Sequence, residues 1–137
     1  MNPDGPLFSE KNRDLGLLIL RLGLGLFMFY GHGLGKVIRL FGDDPIQFAD
    51  PFGLGPTASF VLAAFAESLC AILVALGLMT RWALIPLIIT MTVAYTRHMG
   101  DDFGQMEKAL FYLIGFVALF LTGPGRYSLD YWRSTKR

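Results

Sequence analysis

Residues 57–79, TASFVLAAFAESLCAILVALGLM, carry a single charged side chain, Glu67, near the middle of the run. A helix of roughly 20 residues crosses the hydrocarbon of a bilayer, so this run is long enough to span it. A carboxylate at that depth needs a partner, a proton or a water-filled cavity. A second apolar run, residues 15–35, contains one charge of the opposite sign, Arg21. We therefore predict that Arg21 and Glu67 meet in a polar site inside a small helical bundle.

The rest of the chain is also divided into apolar segments. Of its 137 residues, 53% are hydrophobic and 17% are charged, which is too little charge to cover several apolar helices in water. Because lipid forces a span to form its own backbone hydrogen bonds, these segments predict helices. We predict an all-α fold in which a single membrane domain, residues 1–137, forms a bundle of four transmembrane helices. The spans are expected at about residues 14–32, 57–79, 82–98 and 108–123.

Residues 33–56, between the first two predicted spans, mix aromatic and acidic side chains. This composition predicts an ordered 24-residue cap at the membrane interface. Basic residues predict the orientation, because cytoplasmic loops are enriched in Lys and Arg. Seven lie on the side that carries both termini and four on the other, which predicts that both termini are cytoplasmic.

Composition and spacing argue against several classes of function. The net charge is +1 and the basic residues are scattered, so no nucleic-acid partner is expected. The single cysteine, Cys70, excludes a disulfide within the chain. No two of the His and Glu residues have the spacing of ligands on one helix face, so no metal site is predicted.

Five side chains are candidates for a ligand or proton site: Arg21, His32, Glu67, Tyr95 and His98. Arg21 and His32 share one helix face, and Tyr95 and His98 share another at a predicted outer helix end. Purely structural interpretations remain open: Arg21 reaching the lipid phosphates, Glu67 in a structural ion pair, and histidines facing water. Small residues one and two turns from Glu67 allow another helix to approach closely.

The chain resembles the DoxX family of small four-helix membrane proteins. The resemblance is carried by RLGLGLFMFYGHGLGK at 21–36, DPFGLGP at 50–56, FAESLCAILVALGLMTRWALIPLIITMTVA at 65–94 and GPGRYSLD at 123–130. It implies a bacterial cytoplasmic-membrane protein, in a family named after a small subunit of a thiosulfate:quinone oxidoreductase. The matching positions include Arg21, His32, Lys36, Glu67 and Arg81, and the resemblance assigns none of them a catalytic role.

These observations lead to two hypotheses. In the first, the chain is a subunit or accessory protein of a quinone-linked oxidoreductase or oxidative-stress system, with a quinone as candidate ligand and a membrane oxidoreductase as partner. The apolar walls of a bundle pocket suit such a ligand. In the second, it is a non-enzymatic binder of a small molecule or lipid, an exporter or an assembly factor, acting alone or as a homo-oligomer.

Overall fold

The computed structural model describes residues 9–137, and this part of the chain is all-α. It contains five helices: α1 Glu10–Leu40, α2 Pro56–Leu76, α3 Thr80–Arg97, α4 Phe103–Thr122 and α5 Leu129–Thr135. One π-helical turn interrupts each of the first two helices, Phe29–Gly33 in α1 and Ala66–Cys70 in α2. The prediction of an all-α fold is confirmed.

Three of these helices, α1, α2 and α4, are long and apolar enough to cross a membrane. Helix α3 forms where the third span was predicted, but arginines at both ends, Arg81 and Arg97, lower the hydropathy of its 18 residues. The predicted end of the first helix near His32 is wrong, because the helix continues to Leu40. The connection to α2 is therefore residues 41–55, and the first part of the predicted cap is helical.

Small residues set how closely α1 and α2 pack. A Cβ added at Gly25 would lie 2.6 Å from the carbonyl oxygen of Ala71 and 2.8 Å from Cβ of Ala75. A Cβ added at Gly33 would clash with the backbone of Glu67 and Ser68. Thus α1 and α2 are antiparallel and almost in backbone contact, which confirms that small residues on the Glu67 helix admit a neighbouring helix.

The buried core lies between α1, α2 and the hairpin that α3 forms with α4. It is built from aliphatic side chains, methionines and one phenylalanine, and it includes the free Cys70. Its fully buried members include Met28, Val74, Leu84, Leu87, Phe116 and Leu119.

Asp50 organises the connection 41–55 at the start of α2. Its carboxylate accepts hydrogen bonds from the backbone N–H groups of Leu54 and Gly55 and from Oγ of Ser59, each at 2.9 Å. Gly55 has φ of 94°, a left-handed value that suits glycine, and the helix begins at the next residue, Pro56. We call the end of the bundle that carries this connection and the α3–α4 connection the cap end.

The C-terminal segment closes the opposite end, which we call the tail end. The Asp130 carboxylate accepts hydrogen bonds from the backbone N–H groups of Met79 at 2.7 Å and Thr80 at 2.9 Å, and from Oγ1 of Thr80 at 2.7 Å. The N–H of Asp130 in turn donates to the carbonyl of Gly77 at 2.8 Å. Asp130 therefore caps α3 from a distant part of the sequence, since a carboxylate satisfies N–H groups that a helix start leaves unpaired.

We predict that Gly33→Ala destabilises the protein, whereas Gly35→Ala does not. A methyl group at Gly33 overlaps the backbone of α2, while a Cβ at Gly35 meets nothing within 4 Å. The expected loss for Gly33→Ala is about 1–3 kcal/mol, as for other overpacked positions. Gly35→Ala is expected to be neutral or slightly stabilising, because alanine favours helix. Thermal unfolding in detergent, followed by circular dichroism, measures both, and equal melting temperatures would contradict the packing described here.

We also predict a pH-dependent contribution from Asp50. Hydrogen bonds from the Gly55 N–H, Ser59 and the Leu54 N–H lower the pKa of this carboxyl below its ordinary value of 3.8. The ionised carboxylate therefore stabilises the fold above 3.8, and this contribution is lost as the pH falls through the lower pKa of the folded state. Asp50→Asn should speed amide hydrogen exchange at Leu54 and Gly55 at pH 7.

The matched control for this experiment is Asp44→Asn, which alters an exposed carboxylate in the same connection. Exchange at Leu54 and Gly55 should be unchanged by it. Acidification below 3.8 should bring the wild-type protein toward the Asp50→Asn variant. Because intrinsic amide exchange itself slows as the pH falls, the two proteins are compared by their protection factors at the same pH. A protection factor at Leu54 and Gly55 that stays higher in the wild-type protein than in Asp50→Asn, even after Asp50 is protonated, would disprove the role of the ionised carboxylate.

Candidate functional site

The predicted pair of Arg21 and Glu67 does not form. Because α1 and α2 are antiparallel and Gly33 lies against Glu67, the side chain of Glu67 is level with the cap-end half of α1. Arg21 is about 18 Å nearer the tail end along the same helix, at 1.5 Å rise per residue. The guanidinium of Arg21 instead donates from Nη2 to the carbonyl oxygen of Tyr127 at 2.7 Å.

The partner of Glu67 is Lys36. Nζ of Lys36 donates a hydrogen bond to Oε2 of Glu67, and the two side chains are 19% and 5% exposed. Breaking a buried ion pair by removing one partner leaves an uncompensated charge, which is strongly destabilising in a low-dielectric interior. The pair therefore links the last turns of α1, Leu34–Leu40, to the middle of α2.

Two π-helical turns meet at this pair. Glu67 lies in the turn Ala66–Cys70 of α2, which packs against the turn Phe29–Gly33 of α1. A π-helical turn holds one residue more than an α-helical turn, and such turns are rare and often found at functional sites. Here one turn carries Glu67 and the other carries His32 and Gly33, so the deviation from regular helix coincides with the polar groups.

A cavity of about 720 Å³ lies above the pair, toward the cap end. Lys36 and Glu67 line it, together with residues from all four long helices and from the connection 41–55. Its aromatic and aliphatic lining residues include Phe48, Phe52, Leu62, Phe65, Ile89, Met91, Val93 and Tyr112. A volume of this size holds a small organic molecule, and mostly apolar walls with a few polar groups are typical of ligand pockets.

The charged lining of this cavity has more cations than anions. Lys36, Arg97 and Lys108 face two carboxylates, Glu67 and Asp101. Lys36 is already paired with Glu67. Apart from this pair, the lining offers two cations, Arg97 and Lys108, and one carboxylate, Asp101, so it provides hydrogen-bond donors to a ligand head group that accepts.

Three of the predicted site residues line this cavity: His32, Glu67 and His98. The ring of His32 lies edge-to-face against Tyr112, with centroids 5.8 Å apart. Nδ1 of His98 lies 2.9 Å from Oδ2 of Asp101.

The remaining two candidates lie elsewhere. Tyr95 is half-buried on α3 and is not among the lining residues, although it is one turn from His98. Arg21 borders a separate groove at the tail end. The structure therefore divides the five candidates between two ends of the bundle.

Sequence reasoning did not name several polar residues of the cavity as candidates, among them Lys36, Lys108 and Tyr112. Lys36 and Lys108 were counted among the basic residues that predict the orientation, and Lys36 also as a matching position of the DoxX resemblance, but neither was named as a candidate for the site. A helical projection that continued α1 past Gly33 would have placed Lys36 one turn beyond His32, on the face of α1 toward α2. Within residues 9–137, no three His, Cys, Asp or Glu side chains are grouped as metal ligands would be.

Comparisons with known proteins agree with the sequence pattern. The family model described as DoxX matches residues 16–99, which include Lys36 and Glu67. An uncharacterized membrane protein of Mycobacterium tuberculosis, Rv3486, is 32% identical over 145 residues, covering 93% of this chain and 87% of that protein. No solved structure matches the chain.

Proposed function

Because the chain belongs to the DoxX family of membrane proteins, we propose that it binds an amphipathic small molecule inside its helical bundle. The ligand class that best suits the cavity is a quinone, and the protein would serve a quinone-linked redox system as a subunit or accessory. The observation that carries this proposal is the buried pair of Lys36 and Glu67 at the base of an otherwise largely apolar cavity.

The chemistry of a quinone head group matches this base. Its carbonyl oxygens accept hydrogen bonds, which the ammonium of Lys36 is able to donate. The hydroxyl groups of its reduced form donate, and the carboxylate of Glu67 accepts. The ring would lie among aromatic side chains such as Phe48 and Tyr112. In this proposal the protein binds and orients the head group, and a partner or a bound cofactor supplies the electrons.

A second candidate function is the binding or export of a lipid-like molecule without redox chemistry. It is favoured by the position of the cavity, whose walls include Leu62, Phe65 and Ile89. These side chains are about half exposed on the outside of the bundle, where lipid chains would lie. Gentle purification from membranes distinguishes the two: a stable oxidoreductase partner supports the first function, and a lone chain or homodimer that retains a lipid-like molecule supports the second.

We further propose that four helices, α1 to α4, span the bacterial cytoplasmic membrane. Helix α3 has 18 residues, or about 27 Å at 1.5 Å per residue, close to the thickness of the hydrocarbon. Large apolar side chains are exposed on the outside of the bundle, such as Phe27 at 72%, Phe111 at 73% and Leu121 at 72%. The connection 41–55 would then lie at the outer interface, with both termini in the cytoplasm.

We predict that Lys36→Gln and Glu67→Gln each weaken the binding of a benzoquinone with a decyl chain. Each removes a charged hydrogen-bonding group, so the expected loss is about tenfold or more. The double variant should lose little more than either single variant, because residues that act as a pair are not additive. Isothermal titration calorimetry in detergent measures the affinities.

The matched control is Glu107→Gln, which removes an exposed carboxylate outside the lining of the cavity. Its affinity for the quinone should equal that of the wild-type protein. Absence of binding to the wild-type protein, or equal affinities for all four variants, would rule out the quinone assignment. Circular dichroism of each variant verifies that the helices are intact.

The proposed topology predicts opposite labelling of two introduced cysteines in a Cys70→Ser background. Gly42→Cys at the cap end should react with a membrane-impermeant maleimide in intact cells. Ser134→Cys at the tail end should react only after the cells are permeabilised. Labelling of both positions from the same side would contradict the proposed topology, which places three spans, α2 to α4, between them.

A further inference from the structure

We propose that the tail end contains a second binding site, specific for the phosphate group of a membrane phospholipid. A groove of about 500 Å³ is located there, remote from the cavity above Glu67. It lies between α1, the end of α2 and the C-terminal segment. Its lining residues are Leu18, Arg21, Ala75, Leu76, Arg126, Tyr127, Ser128, Leu129 and Trp132.

The guanidinium of Arg21 is the main reason for this assignment. Arg21 is 1% exposed, and its only hydrogen bond described within residues 9–137 runs from Nη2 to the carbonyl of Tyr127. Its Nε and Nη1 are buried and have no hydrogen-bond partner in that part of the chain. A buried cation whose N–H groups are unpaired is costly. Because Arg21 borders the groove, an anion that enters deeply enough to accept from these N–H groups is favoured.

Neither of the two nearby carboxylates that the structure describes, Asp130 and Asp14, fills this role. Asp130 acts electrostatically on Arg21, but its oxygens already accept hydrogen bonds from Met79 and Thr80. Asp14 is buried and faces Arg126, to which it is linked by a backbone hydrogen bond of 3.3 Å and an ion pair of 3.7 Å. Within residues 9–137, Nε and Nη1 of Arg21 are therefore left without an acceptor beside the groove.

Arg126 supplies a second cation on the same groove. Its Nη2 pairs with Glu10 at 2.8 Å and its Nε faces Asp14. Its Nη1 makes neither of these contacts and is able to donate to a ligand. Two guanidinium groups on one groove match the oxygens of a phosphate, which arginines bind through several N–H groups.

The apolar part of the groove favours a phospholipid over free phosphate. Leu76 and Leu129 are 50% and 40% exposed, and Trp132 is 54% exposed beside them. Tryptophan is enriched at the level of lipid head groups, where one end of its ring is apolar and the other is wet. A phosphate at Arg21 would place the acyl chains of a lipid along these side chains.

The experiment is native mass spectrometry of the detergent-solubilised protein titrated with phosphatidylglycerol. Arg21→Gln should weaken lipid binding by about tenfold or more, because it removes a charged hydrogen-bond donor. The matched control is Arg133→Gln, which makes the same change at an exposed position on α5 outside the groove. It should retain the affinity of the wild-type protein.

A second pair of variants keeps the test decisive if Arg21→Gln fails to fold. Trp132→Ala leaves the bond from Arg21 to Tyr127 in place and should reduce lipid binding severalfold. Tyr131→Ala removes a comparably exposed aromatic ring outside the lining and should not. Equal affinities within each pair that folds would overturn the proposal.

Competition with inorganic phosphate distinguishes a site for a phospholipid from a site for free phosphate. Millimolar phosphate should not displace phosphatidylglycerol, since it lacks the acyl chains that contact the groove. Displacement by phosphate would assign the groove to a free anion and overturn the lipid assignment. Glu67 lines the cavity and not the groove. Glu67→Gln should therefore leave lipid binding at the groove unchanged, whatever its effect on the binding of the quinone.

Discussion

The ion pair of Lys36 with Glu67 is the constraint on which the arrangement of this bundle depends. A carboxylate near the middle of an apolar helix requires a compensating partner in its surroundings. Here the partner comes from a neighbouring helix that approaches closely, because Gly33 presents no side chain to the backbone of α2. The close approach, the two opposed π-helical turns and the base of the cavity are all located at this contact.

Much of the fold follows from the sequence, because apolar length and the cost of an unpaired backbone in lipid leave few alternatives to helices. The depth of Glu67 predicted a compensating group, and the structure provides one, the ammonium of Lys36. The identity of its cation was not predictable in the same way, since it depends on the register of two antiparallel helices. That register is set by contacts such as Gly25 with Ala71, and a helical wheel of one segment contains no such information. Arg21 was the wrong partner because charge and burial were considered without register.

The end of α1 was mispredicted for a related reason. The predicted span stopped near His32, where glycines at 31, 33 and 35 lower the local helix propensity. In the structure Gly33 packs directly against the backbone of Glu67. This contact between the helices outweighs the low helix propensity of glycine, so α1 continues past it. The additional turns carry Lys36 into the bundle, so one error in a helix boundary hid the most important cation of the site.

Asp130 caps α3, and the carbonyl of Tyr127 accepts from Arg21, although both residues follow α4 in the chain. During synthesis, α1 and the α2–α3 hairpin leave the ribosome before these partners exist. Arg21 and the first turn of α3 therefore wait for the last segment to be translated before their hydrogen bonds are made. The packing of Arg21 and of the start of α3 is therefore completed only after residues 127–130 have been synthesised.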